Sequence, residues 1–171
     1  MQNQHIQLRA PEPYDIEKLY VWENDTSLWH HGNTIAPLSR YDLEQFILNS
    51  QYDIYHNRQL RLMIVLKETN EVIGTIDLFE FDPIHRRAGV GILIDKQFRK
   101  NGYATQSLQL LIEYAFTKLH LHQLYCNIIS THAVSLRLFT NNGFEKTATI
   151  KQWLLLNNAW EDVCFLQLIQ K

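Results

Sequence analysis

A short basic stretch in the middle of the chain has the residue types and spacing of an anion-binding turn. It runs from Gln97 to Ala104 and places two positive charges just before Gly102. The apolar run Val90–Ile94 before it predicts a buried strand, and apolar residues recur at helical spacing over Leu108–Leu119 after it. The free N–H groups and the positive dipole end of such a helix attract an anion, and Gly102 has no Cβ to hold a ligand away from the backbone. The chemistry predicted here is the binding of a phosphate group.

The composition fits one soluble globular domain that spans residues 1–171. The chain is 46% hydrophobic and 20% charged, which is ordinary for a protein with a sizeable core. A net charge of −2 argues against a nucleic-acid partner held by bulk positive charge. No apolar run approaches the roughly 18–20 residues of a membrane span, and the N-terminus lacks the pattern of a signal peptide. Cys126 and Cys164 lie in strand-like runs and are expected to be reduced core residues. We therefore expect a cytoplasmic protein with no membrane partner.

Apolar periodicity predicts an α+β domain with strands at both ends. Strands are expected at residues 6–9, 60–66, 72–81, 90–94, 123–129, 146–156 and 160–169. Helices are expected at residues 15–24, from 39 through 47, over 108–119 and from 131 to 139. The basic turn therefore joins a buried strand to a helix, and its spacing matches neither the dinucleotide nor the Walker glycine pattern.

Several segments, in order along the chain, resemble the GNAT-type N-acetyltransferases. The spacing Arg99-x-x-Gly102-x-Ala104 is similar to the Q/R-x-x-G-x-G/A loop that holds the pyrophosphate of acetyl-coenzyme A in that family. The other matching segments are Leu8–Asp15, the "iG.i" strand at Val72–Ile76, the arm His85–Ile92 and the "S..LY...GF" segment at Ser135–Phe144. The likeness covers nearly the whole chain and is strongest to the ribosomal-protein-acetylating and spermidine N-acetyltransferases.

The resemblance implies a GNAT fold and a place for the coenzyme. A mixed central sheet, flanked by helices, would splay apart between the strand ending at Ile94 and the strand at 123–129, and acetyl-coenzyme A would wedge into the split. The pantetheine arm would pair with the backbone of Ile92, Leu93 and Ile94. The pyrophosphate would lie on the loop and the helix start, at Arg99, Lys100, Asn101, Gly102, Tyr103, Ala104 and Thr105.

Across the split, the resemblance implies that the helix with Ser135 and Phe139 flanks the thioester. Phe139 stands where the family often has a tyrosine, and it cannot donate a proton to the leaving thiolate; water or Ser135 could do so. Because a thiol pKa near ~8.5 makes the thiolate a tolerable leaving group, we expect Phe139→Tyr to change turnover only modestly. His132 stands where relatives often have an asparagine that contacts the pantetheine, and it can still donate and accept. Gly89 replaces a glutamate often found in the arm.

The resemblance also implies direct attack of an amine on the thioester in a ternary complex. A backbone N–H near Leu93 is the expected oxyanion donor. Glu80 is the first candidate for the base, because it ends a strand just before Pro83, where similar polyamine enzymes carry an acid that faces the acceptor. Asp82 is the second candidate and Asp77 the third. The alternative is that Glu80 is a solvated carboxylate at the end of a strand, since proton transfer depends on geometry first.

Trp29 lies in the irregular segment 24–37, where this family commonly shapes the acceptor pocket. A cationic acceptor could stack on it, and plain packing is the alternative. Together with Glu80 and Asp82 it makes up the expected acceptor contacts. The histidine pairs at 30–31 and 120–122 lack both helical-turn spacing and an accompanying cysteine pair, so we expect no metal site.

These observations favour an acetyl-coenzyme A-dependent N-acetyltransferase that acts on a primary amine. The acceptor would be a small amine, a polyamine or a protein N-terminus, although the segment Gly32–Asp42 lacks the clustered glutamates that a polycation site would use. The alternative is a non-catalytic acyl-coenzyme A sensor on the same fold, which Phe139 and His132 favour. The long terminal strands could donate their edges to a second copy, so we expect a homodimer.

Overall fold

A computed structural model of the chain describes residues 1–29, 36–49 and 53–171. Within these residues one sheet is formed by β1 (Ile6–Arg9), β2 (Leu60–Leu66), β3 (Val72–Asp82), β4 (Arg87–Ile94), β5 (Gln123–Ile129), β6 (Glu145–Leu156) and β7 (Ala159–Ile169). The helices are α1 (Ile16–Glu23), α2 (Arg40–Asn49), α3 (Ile54–Asn57), α4 (Tyr103–Thr117) and α5 (Ala133–Asn141). The predicted α+β class and mixed sheet are confirmed.

The strand order explains how the sheet opens in its middle. The strands lie in the order β1-β2-β3-β4-β5-β7-β6, and every neighbouring pair is antiparallel except β4 with β5. β4 and β5 pair in parallel only from Arg87 to Gly89, opposite Gln123 to Tyr125. Beyond these pairs the two strands diverge, so the predicted split is present. We call the last pair, Gly89 with Tyr125, the apex of the split.

One face of the sheet carries the larger buried cluster. On this side, which we call the α4 face, Leu108 of α4 and Phe139 of α5 pack with alternate strand residues such as Val90 and Leu124. Because side chains alternate along a strand, every second residue of β4 and β5 points to this face. The apolar periodicity of α4 corresponds to a stripe in which Leu108, Leu111 and Ala115 are fully buried, with Ile112 and Phe116 partly buried beside them.

The opposite face, which we call the α1 face, packs a second cluster. Leu19 of α1 and Leu43 of α2 lie against Met63 of β2, and Leu93 of β4 joins the edge of this cluster. The register pairs Thr75 with Leu93, Asp77 with Gly91 and Phe79 with Gly89, so these residues share the α1 face. β4 therefore contributes two glycines to the α1 face beside the split.

The observed elements differ from the sequence-based prediction mainly at their ends. α3 is an addition of four residues, too short to show a period, and the Asp53 side chain caps it by accepting the His56 N–H at 2.9 Å. α5 begins at Ala133 rather than at Thr131, and β3 continues to Asp82.

The two cysteines lie in the core. Cys126 and Cys164 are free and buried, as predicted. Burial raises the pKa of the Cys126 thiol to about 12, so this thiol stays protonated. Among the described residues, no helix has the length and apolar character needed to cross a membrane.

Candidate active site

The loop between β4 and α4 is fixed by its own side chains. Asp95 accepts the Gln97 N–H at 3.1 Å and the indole N–H of Trp22 at 3.1 Å. Arg99 folds back and donates its Nε–H to the Ile94 carbonyl at 2.9 Å. These contacts anchor the loop to α1 and to the end of β4, at the mouth of the split.

The backbone of this loop needs a glycine at its end. Gly102 has φ +78° and is the cap residue of α4, a left-handed conformation that side chains with a Cβ adopt at a cost. The first bond within α4 runs from the Gln106 N–H to the Gly102 carbonyl at 3.2 Å. The N–H groups of Tyr103, Ala104 and Thr105 precede that bond, so helix geometry leaves them facing out of the helix end. The turn therefore presents three free N–H groups of a helix start, the arrangement to which anions bind in proteins; phosphate binding here stays a prediction.

The pairing register of β4 with β3 determines which backbone amides of β4 face the split. The Asp95 N–H donates to the Ile73 carbonyl of β3 at 2.8 Å, and in an antiparallel ladder successive residues alternate between bonding a neighbour and facing away. Leu93 therefore faces β3, and its carbonyl lies so close that a Cβ on Gly74 would overlap it. Ile92 and Ile94 face the split. The expected oxyanion donor is an N–H near Leu93; in this register the amide of Leu93 itself lies on the β3 side, and the amides of Ile92 and Ile94 are directed at the opening.

The far side of the split is formed by the start of α5. The His132 N–H donates to the Ile129 carbonyl at 2.8 Å. Burial, and then the positive charge of Arg99, lower the pKa of the His132 imidazole, so His132 is neutral at pH 7 and lies within electrostatic reach of the loop across the opening. Ser135 is half-buried in the first turn of α5. Phe139 is 3% exposed and packs edge-on against Phe144, with ring centroids 5.0 Å apart.

Glu80 is aimed at the apex of the split by a bulge in β3. The pairing of β3 with β4 shifts between Phe79 and Asp82, and Glu80 has φ +48°. A bulge of this kind re-aims a side chain. The exposed Glu80 carboxylate accepts the Tyr125 hydroxyl at 2.5 Å through Oε2. The first candidate base and a tyrosine of β5 thus meet at the apex.

Tyr125 is held in its protonated form. Burial raises the pKa of its phenol, and the hydrogen bond to Glu80 and the charge of Glu80 raise it further. Its ring stacks on Phe165 at 5.5 Å and meets Phe79 edge-on at 6.0 Å. Sequence reasoning missed Tyr125, Phe79 and Phe165. The alternation of β5 was visible, but the face that each residue occupies follows only from the register.

On the α1 face beside this aromatic cluster, β4 contributes only the glycines Gly89 and Gly91. A Cβ on Gly89 would overlap the Phe79 ring, so the ring occupies the space above that residue. A Cβ on Gly91 would meet nothing closer than the Asp77 carboxylate at 3.8 Å. Where the family often has a glutamate side chain, this chain has Gly89, and the Phe79 ring of β3 fills the space. The acid at the apex is Glu80 of β3.

The other two candidate bases have structural partners. Asp82 accepts the N–H groups of Ile84 at 3.1 Å and His85 at 3.0 Å, and these bonds lower the pKa of its carboxyl. It therefore shapes the β3–β4 turn. Asp77 pairs with Arg61 at 2.6 Å, and Arg61 also binds Glu23 at 2.5 Å. Of the three acids, Glu80 is the one whose carboxylate stands at the apex.

Trp29 is anchored to the end of α1. Its indole N–H donates to the Glu23 carbonyl at 2.7 Å, and its ring is half-buried. The predicted acceptor-pocket residues 30–35, which include the first histidine pair, lie outside the described residues. In the described part of the chain, no three side chains of His, Cys, Asp or Glu are grouped to hold a metal ion.

Residues 5–145 match the family described as "Acetyltransferase (GNAT) domain". Spermidine N(1)-acetyltransferase of Vibrio cholerae is 24% identical over 168 residues, which cover 98% of this chain and 95% of that protein. Ribosomal-protein-serine acetyltransferase of Escherichia coli is 27% identical over 108 residues, 63% of this chain and 60% of that protein.

The fold resembles a solved structure over almost its full length. The crystal structure of spermidine N-acetyltransferase from Vibrio cholerae in complex with CoA and spermine superposes with a TM-score of 0.87 at 24% identity. The superposition covers 98% of this chain and 97% of that one. At this identity the likeness establishes the fold.

Proposed function

The chain belongs to the acetyltransferase (GNAT) family and is an acetyl-coenzyme A-dependent N-acetyltransferase, and we propose that its acceptor is a small polyamine. The observation that carries this proposal is the Glu80 carboxylate set in an aromatic surface at the apex of the split. A protonated aliphatic amine is attracted both by a carboxylate and by the faces of aromatic rings. The Vibrio cholerae relative that spans nearly the whole chain is named for such an acceptor.

A second negative site supports a substrate with more than one positive charge. Glu23 and Asp77 share the single cation of Arg61, so this triad keeps one net negative charge. Asp77 lies beside Gly91, two residues along β4 from the apex. An extended polyamine could therefore place one amino group at Glu80 and a second positive charge toward Asp77.

The coenzyme enters from the loop side in this proposal. Arg99 and Lys100 supply positive charge to the pyrophosphate, and the N–H groups of residues 101–105 donate hydrogen bonds to its oxygens. The pantetheine arm pairs with the split-facing backbone of Ile92 and Ile94. His132 and Ser135 of α5 close the other side, while Phe139 supports them from the core.

The reaction follows from these positions. The bound ammonium must lose a proton before its nitrogen has a lone pair for attack, and Glu80 is the group that takes that proton. The neutral amine attacks the thioester carbonyl, and the Ile92 amide donates to the developing oxyanion. Collapse of this intermediate releases the coenzyme as a thiolate and leaves the acetamide.

A protein N-terminus is the second candidate acceptor, because the ribosomal-protein-serine acetyltransferase of Escherichia coli matches 63% of the chain. If the acceptor were a peptide, Phe79 and Tyr125 would contact the side chain of its first residue. If it is a polyamine, they contact the alkyl amine. Neither relative gives support to the non-catalytic sensor.

Steady-state kinetics of the Glu80→Gln variant test the proposed role of the carboxylate. We expect kcat with spermidine to fall by about 10²-fold or more, since positioned proton transfer contributes about 10²–10⁴, while the affinity for acetyl-coenzyme A stays unchanged. Glu113→Gln removes a carboxylate from an exposed position on α4 and should leave kcat unchanged. An unaltered kcat in Glu80→Gln, or equal losses in both variants, would refute the assignment.

A further inference from the structure

At neutral pH a coenzyme thiolate whose thiol has a pKa of about 8.5 takes up a proton, and Phe139 cannot supply it. Its ring is 3% exposed and is locked against Phe144. At the apex, by contrast, a phenolic hydroxyl is bonded to the carboxylate that receives the amine proton. The Glu80 carboxylate, which accepts the amine proton, and the Tyr125 hydroxyl, a candidate donor to the thiolate, thus lie side by side.

We propose that Tyr125 donates the proton that the departing coenzyme thiolate takes up, and that Glu80 then returns a proton to Tyr125. This inference rests on the proposed function and deepens it. Tyr125 would be a catalytic residue on β5 that stands in for the missing tyrosine of α5, and Glu80 and Tyr125 would form one relay from the amine to the sulfur.

The position of Tyr125 in the sheet supports this role. It occupies the last paired register of β4 with β5, opposite Gly89. A pantetheine arm that follows β4 from Ile94 to Ile92 runs toward that apex, so its reactive end approaches Tyr125. Glu80 reaches the same point from β3 through the bulge. The phenol therefore stands between the acceptor side and the end of the coenzyme.

The surroundings of Tyr125 fix the direction of its hydroxyl. Phe165 stacks on one side of the ring and Phe79 meets it edge-on, so the ring has little rotational freedom. The hydroxyl hydrogen of a phenol lies near the plane of its ring and can point to either side of the C–O bond. A half-turn about this bond moves the hydrogen from Glu80 toward a sulfur in the split, while the oxygen stays within reach of the carboxyl group.

The proposed steps balance in protons and electron pairs. Glu80 takes one proton from the ammonium, the amine forms the C–N bond, and the C–S bond breaks with its electron pair on sulfur. Tyr125 gives its hydroxyl proton to that sulfur and receives the proton held by Glu80. The remaining proton on the acetylated nitrogen leaves to solvent, so the products are an amide, a thiol, a carboxylate and a phenol.

The electrostatics give the relay an order. Burial raises the pKa of the Tyr125 phenol, and the bond to the Glu80 carboxylate and its negative charge raise it further. The last two contributions disappear once Glu80 is protonated. The phenol therefore becomes a better acid only after the amine has given up its proton.

The test compares two acyl donors that differ at one atom. Acetyl-seleno-coenzyme A releases a selenolate, which is a much weaker base than a thiolate and leaves without protonation. With the amine that the wild type turns over fastest, we expect Tyr125→Phe to lower kcat by about 10²-fold with acetyl-coenzyme A and to have little effect with the selenium donor. Glu80→Gln should impair both donors, because the amine must be deprotonated in either case.

Two controls show whether the loss in Tyr125→Phe comes from proton transfer or from a structural change, and whether the relay holds independently of the acceptor. Tyr55→Phe removes a hydroxyl from an exposed ring on α3 and should leave both rates unchanged. Equal losses with both donors in Tyr125→Phe, or no loss with acetyl-coenzyme A, would overturn the relay. If spermidine is inactive and another amine is turned over, the polyamine proposal fails, and the donor comparison with that amine still decides the relay.

Discussion

Two acids that stand two positions apart at the end of β3 have different purposes. Glu80 projects from the bulge and meets Tyr125, whereas Asp82 accepts backbone N–H groups of Ile84 and His85 within the following turn. Residue type and neighbourhood in the sequence are nearly the same for both. The difference lies in the local backbone, which turns one carboxylate toward the split and the other into its own turn.

The turn role of Asp82 predicts a pH-dependent stability. The His85 N–H, and with it the charge of Arg87, hold the pKa of Asp82 below its usual range. Below the ordinary aspartate pKa of about 4 the unfolded chain therefore binds more protons than the folded one, and the contribution is lost as the pH falls. We expect wild type to melt above Asp82→Asn near neutral pH and the gap to close in acid. Thermal unfolding at several pH values measures this, and a gap that is constant down to pH ~2 would contradict it.

Phe139→Tyr addresses the other departure from the family. The added hydroxyl would enter a core site that is 3% exposed beside Phe144, and a buried hydroxyl without a partner costs about 1–3 kcal/mol. We expect a lower melting temperature and only a modest change in kcat. A gain in kcat of roughly a thousandfold, within the range of positioned acid catalysis, would show that the natural chain lacks a working proton donor.

At the level of elements, the shape of the acceptor side depends on how β3 pairs with β4. The Phe79 ring lies over Gly89, and the bulge that follows directs Glu80 to the apex. An aromatic ring of β3 thus fills the space that a β4 side chain would otherwise occupy. The acid and the aromatic wall of the site both come from one strand, at the point where its pairing shifts.

Alanine substitutions in β4 test this arrangement. Gly89→Ala would force the Phe79 ring to move, and overpacking of this kind costs about 1–3 kcal/mol. We expect a lower melting temperature and weaker use of the acceptor. Gly91→Ala meets only ordinary contacts, the nearest at 3.8 Å, and should keep the stability of wild type. Comparable melting temperatures for the two variants would show that the Phe79 ring keeps its place even when residue 89 has a Cβ.

The loop could be predicted from local residues, whereas the split was implied by the resemblance of several segments to the family. A basic turn before a helix can be recognised within eight residues; that Gly102 adopts a positive φ is an addition from the structure. The pairing of Glu80 with Tyr125 joins residues 45 positions apart and depends on register. A shift of one residue reverses every side chain and every amide of a strand. The resemblance could therefore imply a donor near Leu93, but only the register shows that the amides of Ile92 and Ile94 face the split.

At the level of the whole molecule, the β6–β7 hairpin offers a surface for a second copy. None of the residues of β6 is fully buried, although the strand is twelve residues long. Trp153, Leu155 and Trp160 are 60%, 57% and 60% exposed. Large exposed apolar side chains grouped on one hairpin mark an interaction surface, and β6 is an edge strand that can pair with another edge.

We expect the protein to self-associate through this hairpin. Trp160→Lys should place a charge in the contact and shift the mass measured by light scattering after gel filtration toward that of a monomer. Lys171→Glu, at the exposed end of the chain, changes charge outside the hairpin and should leave the mass unchanged. A wild type that is monomeric at micromolar concentrations would rule out this assembly.

The identity of the acceptor is the central claim, and a competition assay tests it most directly. Purified protein and acetyl-coenzyme A would be incubated with equal amounts of spermidine, a monoamine of similar length and a short peptide with a free serine N-terminus, and the acetylated products would be measured by mass spectrometry. We predict that acetylspermidine dominates, since only spermidine combines an amine for Glu80 with a second positive charge for the side of Asp77. Preferential acetylation of the peptide or of the monoamine would contradict this assignment.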